Sequence, residues 1–268
     1  MKKPLISIVL CVYNPRREQL VQAVESMICQ TFTDWEMILY DDGSAEEFAD
    51  FICKTAKRDI RIRYIRNQVH HSLAYGLNQS IKLAVGRYIA RMDADDISDP
   101  ARLQKEYCFL EEHLEYSFVG CNLILIGETG EEWGKRSYPE IPQKEDFLRY
   151  LPYAHPSILF RRSVFAEYGG YRKGEHECRG EDYEFFMRLY AQGVFGYNLQ
   201  ESLLFYRESM DSYKRRKLKY QLQEMGIRFR GFRKLKLKGR KTIWYIVKPL
   251  AIWGIPKRFV KIWKQKRG

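Results

Sequence analysis

Apolar and polar positions follow two alternating rhythms over the first two thirds of the chain. Residues 5–13 (Leu-Ile-Ser-Ile-Val-Leu-Cys-Val-Tyr) form a nearly continuous apolar run, the pattern of a strand buried on both faces, and Asn14-Pro15 ends it. Residues 18–30 then repeat apolar side chains at helical spacing, with Leu20, Val21, Val24, Met27 and Ile28 on one face. The same exchange predicts strands over 35–40, 60–65 and 88–92 and helices over 45–56, 73–84 and 101–113, the last opened by Asp99-Pro100. Further on, the pattern predicts a strand over 118–126, a turn or hairpin tip over 127–134, a strand over 158–160, and helices over 163–168 and 183–192. A polar, glycine-punctuated loop over 172–180 has the composition of a lid. Strand and helix in regular alternation predict an α/β fold with a doubly wound, mostly parallel sheet, which binds ligands at the carboxyl ends of its strands.

Two acidic clusters stand at such ends. Asp41-Asp42 follows one predicted strand, and Asp93-Ala94-Asp95-Asp96 follows another. Crowded carboxylates repel one another, so a fold retains them where something cationic or hydrogen-bonding offsets the cost. Oxygen ligands of this kind suit Mg²⁺ or Mn²⁺ with a nucleoside diphosphate. Taken singly, Asp41, Asp42 and Asp96 are equally suited to capping helices or shaping turns.

Composition narrows the setting. A chain of 268 residues, 45% hydrophobic, can bury a sizeable core as one large α/β domain or two intimately joined halves. Six cysteines without CxxC spacing indicate neither a disulfide framework nor a zinc site, which fits a reduced cytosolic compartment. The start, Met1-Lys2-Lys3 before an apolar run, mimics a signal peptide but lacks a small-residue cleavage site, and it is read as the first strand. Charge is strongly segregated. Residues 213–268 hold 20 Lys and Arg against one acid, Glu224, leaving 26 basic and 33 acidic residues in 1–212, a net −7 beneath the overall +12.

Several segments together resemble the family 2 glycosyltransferases of the GT-A fold: Ser7-Ile-Val-Leu-Cys-Val-Tyr-Asn14, Asp41-Asp-Gly-Ser44, residues 73–78, Gly86-Arg-Tyr-Ile-Ala-Arg-Met-Asp-Ala-Asp-Asp96 and Gly180-Glu-Asp182, in the family's order and spacing. The resemblance covers roughly residues 5–212 and is nearest to enzymes of bacterial exopolysaccharide and capsule clusters. It implies a nucleotide-sugar-binding half over 1–126 and an acceptor-binding half over 127–212. It further implies that Val12, Tyr13 and Asn14 line the nucleotide site, with Tyr13 stacking on the base, and that Asp42 accepts the uracil N3 hydrogen. Asp93 would bind ribose and share with Asp95 the divalent metal, Mn²⁺ or Mg²⁺, while Arg207 would reach the diphosphate. Asp182 would be the general base of an inverting transfer, with Glu181 beside it, and His155 and Tyr171 would lie toward the acceptor. Asp96 is read as a helix cap, because Ile97-Ser98-Asp99-Pro100 leads into a helix. A helix start at Asp182 favours an ionised carboxylate, and a lone His such as His155 is as readily a satisfied buried side chain. The implied activity is hexosyl or N-acetylhexosaminyl transfer from a nucleotide sugar, a UDP-sugar, to a polysaccharide or lipid-linked glycan. Two departures from the family stand out: Ser209 where relatives carry His, and His70-His71 where Asn and Gly are commoner. The two histidines would suit a metal, yet nothing near them in sequence completes a site.

From residue 213 onward basic residues interleave with Phe229, Phe232, Trp244, Tyr245, Trp253, Phe259 and Trp263, the composition of a segment lying on an anionic membrane. Residues 242–255 are its most apolar stretch, but Lys248, Pro249 and its length argue against a span. The expected location is therefore cytoplasmic, peripheral on the inner membrane face; the alternative is a helical pair packed on the body. Nucleic-acid binding is disfavoured by the acidic body. A non-catalytic nucleotide-sugar-binding or membrane-complex protein on the same scaffold is argued against by intact Asp93, Asp95 and Asp182. A nucleotidyltransferase is argued against by the lack of a glycine-rich phosphate loop with its Lys.

Overall fold

The computed structural model describes residues 3–172, 180–208 and 218–253. Its parallel half follows the expected rhythm: β1 (Ile6–Val12), α1 (Arg17–Ile28), β2 (Trp35–Asp41), α2 (Glu46–Ala56), β3 (Ile62–Arg66), α3 (Leu73–Leu83) and β4 (Tyr88–Met92). The strands lie in the order β3-β2-β1-β4, all parallel. The chain winds outward to β3 and then returns to the other side of β1, so a topological switch point falls between β1 and β4. Such a crevice is where open α/β sheets bind ligands.

The second half is mixed rather than parallel. After β5 (Ile97–Ser98) and α4 (Arg102–Glu112) come β6 (Phe118–Ile126), β7 (Glu132–Arg136), β8 (Leu159–Arg161), α5 (Ser163–Tyr168), α6 (Glu181–Ala191) and β9 (Gly196–Arg207). β8 runs antiparallel between β4 and β6, whereas β9 is parallel to β6. The expected tip over 127–134 is shorter, since β7 already pairs with β6 from Glu132. β9 breaks the alternation rules with Gln200-Glu201-Ser202, and its pairing with β6 shifts register between Cys121 and Leu123, so no clean period marked it as a strand. Because β1, β2, β4, β6 and β9 share one direction, Val12, Asp41, Met92, Ile126 and Arg207 all finish at one edge of the sheet.

Two apolar cores sandwich the sheet. Ile6, Ile8 and Leu10 of β1 meet α1, α2 and α4 on one face; Val9, Ile38 and Ile89 meet α3, α5 and α6 on the other. The C-terminal segment belongs to the second core. In α7 (Leu218–Lys234), Ile227 and Phe232 are buried in that core, and Leu235 just beyond the helix joins them. α8 (Arg240–Trp253) covers α7, with Tyr245 and Ile246 against the same cluster. The basic segment is thus in part a structural layer over α6, the arrangement of the helical-pair alternative. Its outer side still carries Leu222, Phe229, Ile243 and Trp244 exposed among its cations. Among the described residues no helix is long and apolar enough to cross a membrane. Residues 173–179 of the expected lid over 172–180, the family-like stretch 209–216 including Ser209, and residues 254–268 lie outside the described residues.

Glu106 of α4 is fully buried, and neither carboxyl oxygen has a hydrogen-bond partner among the described residues. Burial lifts its pKa to about 8, against the partial relief of the nearby Arg102 guanidinium. A carboxyl raised this way keeps in the folded state a proton that the unfolded chain has lost, so its contribution is complete below the ordinary Glu range and disappears as pH rises through about 8. Thermal stability measured in chelator is therefore expected to fall between about pH 5 and pH 8.5, and Glu106→Gln is expected to flatten that slope. An unchanged slope in the variant would place the titration elsewhere.

Candidate active site

At the carboxyl edge, Asp42 emerges beyond β2, its N–H bound to the carbonyl of Val12 at 2.9 Å. Its neighbour Asp41 is wholly buried and structural: Oδ1 accepts from the Ser44 N–H at 2.9 Å, and Oδ2 accepts from Tyr64 at 3.0 Å. Asn14 lies in the left-handed region at φ 43°. Its N–H donates to Ser44 Oγ, and its Oδ1 accepts from the Ala45 N–H at the entry to α2, each at 2.9 Å. The Asn14 side-chain oxygen is thus committed to the protein, whereas Tyr13 presents a ring 48% exposed. His70 and His71, which looked isolated in sequence, converge on Asp42: His70 Nδ1 lies 3.1 Å from Oδ2, and the His71 N–H donates to the same oxygen at 3.0 Å.

Beyond β4, Asp93, Asp95 and Asp96 bring ligand oxygens within 4.8 Å of one another. Asp95 is exposed at the surface, yet the protein packed around it and the charge of Asp93 lift it to about 6, and the wholly buried Asp96 is pushed well above the usual carboxylate range by burial and by both neighbouring carboxylates. Asp96 corrects the expectation of a helix cap. Its Oδ1 accepts the Arg207 N–H at 2.8 Å, fastening β9 to the acidic turn, while its buried Oδ2 has no hydrogen-bond partner among the described residues. The helix start is served instead by Asp99, which accepts from the Ala101 N–H at 2.8 Å. Three clustered carboxylates, one of them with a buried oxygen that has no hydrogen-bond donor among the described residues, make an all-oxygen donor set that fits Mg²⁺ or Mn²⁺.

Arg207 also departs from expectation. Its Nε donates to the Asp95 carbonyl at 2.7 Å, Nη1 to the carbonyls of Gly127 and Glu128 at 2.8 Å, and Nη2 to Gln22 at 2.8 Å. Four of the five N–H groups of a guanidinium are engaged in holding the acidic turn to the 127–128 loop and to Gln22.

The cation that sequence reasoning missed is Arg91, the next-to-last residue of β4. It is 3% exposed, and its Nη1 sits 2.5 Å from Asp93 Oδ2. Its charge also acts on Asp95, Asp96, Glu181, Asp182, His155 and Tyr171. One buried guanidinium thus supplies the offset that the carboxylate crowding demands. The available signal was a lone Arg in a fully buried strand, two positions before the first Asp.

Opposite stands the start of α6. Asp182 accepts the Tyr183 N–H at 2.7 Å. Its pKa is raised, chiefly by burial, and Glu181 is lifted to about 7 by burial and by Asp182. Burial at Asp182 thus acts against the helix N-terminus, whose field favours the ionised carboxylate. Gly180, at φ 99°, makes the turn into α6, and a Cβ there would meet Ile227 of α7 at 3.2 Å. His155 is buried and held neutral by desolvation and by Arg91; its Nε2 lies 2.7 Å from the Tyr171 hydroxyl. Asn78 of α3 clamps the Tyr171 backbone from both sides, accepting its N–H at 2.9 Å and donating to its carbonyl at 2.7 Å. The fold therefore brings Tyr13, Asp42, Asp93, Asp95, Glu181, Asp182, His155 and Tyr171 to one edge, and it engages the Asn14 side-chain oxygen and the Arg207 guanidinium in hydrogen bonds within the protein.

Residues 7–169 match the family model "Glycosyl transferase family 2". The putative glycosyltransferase EpsE of Bacillus subtilis (strain 168) is 35% identical over 265 residues, 98% of this chain and 94% of its own. The amylovoran biosynthesis glycosyltransferase AmsE of Erwinia amylovora is 27% identical over 252 residues, 92% and 93% of the two chains. Among solved structures, S. aureus TarS 1–349 in complex with UDP-GlcNAc superposes with a TM-score of 0.69 at 14% identity, covering 91% of this chain and 71% of that one. The mannosyltransferase PcManGT from Pyrobaculum calidifontis, in complex with GDP-Man and Mn²⁺, gives 0.61 at 13% identity, covering 96% and 72%. With the motifs in place on this fold and a family match spanning most of its catalytic-looking body, the chain belongs to glycosyltransferase family 2 and is a glycosyltransferase.

Proposed function

We propose that the protein is a divalent-metal-dependent, inverting glycosyltransferase that takes a UDP-sugar and extends a polysaccharide or lipid-linked glycan at the cytoplasmic face of the membrane. The observation that carries this reading is the convergence of the Asp93-Asp95-Asp96 cluster and Asp182 around Arg91 at the sheet's switch point. When bound at Asp93 and Asp95, Mn²⁺ or Mg²⁺ would neutralise charge growing on the departing diphosphate. Tyr13 offers the base a ring face, and Asp42 an acceptor for the uracil N3 hydrogen. Asp182 takes the acceptor hydroxyl's proton as that oxygen attacks the anomeric carbon from the face opposite the leaving group, and its burial-raised basicity suits this role. Tyr171 and His155, a neutral hydrogen-bonded pair, shape the acceptor side.

The nucleotide sugars bound by TarS and PcManGT support a nucleotide-sugar donor, and Asp42 favours uridine among them. AmsE, an amylovoran biosynthesis enzyme, supports a polysaccharide acceptor. The exposed Phe229, Ile243 and Trp244 among the cations of 218–253 support attachment to an anionic leaflet. The decisive experiment is thermal denaturation with UDP and Mn²⁺, followed by screening UDP-sugars for hydrolysis and transfer. UDP with Mn²⁺ should raise the melting temperature, and no rise with UDP alongside a rise with GDP would overturn the uridine assignment. Co-sedimentation with anionic vesicles should be strong at low salt and partly resistant to high salt; protein that ignores such vesicles at low salt would refute the membrane assignment.

A further inference from the structure

His70 occupies the nucleobase site itself. Its ring stacks on Tyr13 at 3.7 Å between centroids and 22° between planes. Its Nδ1 lies 3.1 Å from Asp42 Oδ2 and 3.2 Å from the Asp42 carbonyl. Both of these neighbours are acceptors, so Nδ1 carries the proton and donates it. A flat, aromatic N–H donor thus makes the two contacts that the proposed function gives to uracil, ring face on Tyr13 and N–H on Asp42. A separation of 3.7 Å is one stacking distance, which leaves no room for a base between the rings.

The backbone beneath His70 is fixed while its side chain is free to leave. A Cβ on Gly43, which stands at φ 80°, would lie 2.5 Å from the His70 nitrogen, so these segments are in closest approach. Asn67 N–H donates to the Asp41 carbonyl at 2.8 Å, and the His71 N–H is held on Asp42. His71 is anchored separately: its ring stacks on Tyr75 at 4.0 Å, and its Nδ1 lies 2.7 Å from the Val69 carbonyl. The His70 side chain is 36% exposed, so rotation about its χ1 carries the ring into solvent without moving the loop.

We propose that His70 is an internal surrogate for the nucleobase, which the donor must displace on binding. The inference rests on the assignment of Tyr13 and Asp42 to the base. It makes apparent affinity for a base-bearing ligand the product of intrinsic affinity and the fraction of molecules with His70 swung out. It also gives Asp42 Oδ2 a second donor, beside the His71 N–H, between turnovers.

Calorimetry with Mn²⁺, using UDP and inorganic pyrophosphate as probes, tests this on full-length wild type, His70→Ala and Asp42→Ala. Removing the surrogate should tighten UDP about threefold to tenfold, the worth of one stacked, hydrogen-bonded ring, and leave pyrophosphate unchanged. UDP bound equally or more weakly by His70→Ala overturns the proposal, as does equal tightening of both probes. Asp42→Ala separates the two readings. If it weakens UDP while His70→Ala tightens nothing, the base site stands and the surrogate falls; if it leaves UDP unaffected, the base site itself is misassigned and the surrogate falls with it. Should His70→Ala fail to fold, histidine-labelled wild-type protein replaces it. UDP, and not pyrophosphate, should move the His70 ring-proton signals downfield as the ring leaves the shielding of Tyr13, and signals unmoved at UDP saturation overturn the proposal.

Discussion

Asp182→Asn is expected to lower glycosyl transfer by about 10²- to 10⁴-fold, the usual worth of a positioned general base, while UDP binding in Mn²⁺ stays within about twofold of wild type. The substitution keeps shape and removes only the ability to take a proton, and Asp182 lies on α6, away from the β1 and β2 ends that offer the base its contacts. Asp95→Ala should do the reverse in the binding assay. Removing one member of the carboxylate cluster deletes a metal ligand used in the ground state as well as the transition state, so metal-dependent UDP affinity should fall by at least about tenfold. Calorimetry and a transfer assay on both variants check the pair. Equal loss of UDP affinity in the two would show that Asp182 belongs to the donor site and that the base lies elsewhere.

Removal of the segment from residue 218 onward is expected to cost both stability and transfer, although every carboxylate of the site remains. Phe232 is 1% exposed in the second core, and truncating a buried Phe costs about 3–5 kcal/mol by itself. The loss falls on α6, the helix that carries Asp182. Ile227 packs against Gly180 at the turn into α6, and the Arg228 guanidinium lies 5.1 Å from the centre of the Tyr183 ring. Arg228 Nη1 also donates to the Leu148 carbonyl at 3.1 Å. Asp182, one residue before Tyr183, therefore takes its position partly from α7. Phe232→Ala is the milder probe: it should lower the melting temperature by several degrees and lower kcat more than it weakens UDP, because the proposed nucleotide contacts, Tyr13 and Asp42, come from the other half of the sheet. A truncated protein with wild-type transfer would refute the buttress and restore the basic segment to a purely external role.

The legible part of this protein is the part whose information is local. Buried strands 6–12, 35–41 and 88–92 announce themselves as apolar runs, and the helices between them by a 3.6-residue period, because each element must hide its own face whatever its neighbours are. The acidic clusters were legible for the same reason: a pair and a trio of carboxylates at the ends of apolar strands fall at one sheet edge in any doubly wound fold. Sequence alone thus determined the parallel half, the edge that gathers the acidic clusters, and the family.

Only tertiary structure decided how the charges are arranged and what holds them. Asp96 reads as a cap from its neighbours, yet its partner is the backbone of Arg207, 111 residues away. Arg207 reads as a phosphate ligand, yet carbonyls from two distant turns absorb its guanidinium. Arg91 carries no local mark of its role, since the carboxylates it offsets come from a turn and from a helix that begins 90 residues later. His70 meets Tyr13 across 57 positions, and α7 closes on α6 only because the second core needs a cover over Met187 and Tyr183. Periodicity encodes which face a residue hides, whereas pairings across the chain depend on how the faces stack, and the energies of buried charge are set by that stacking.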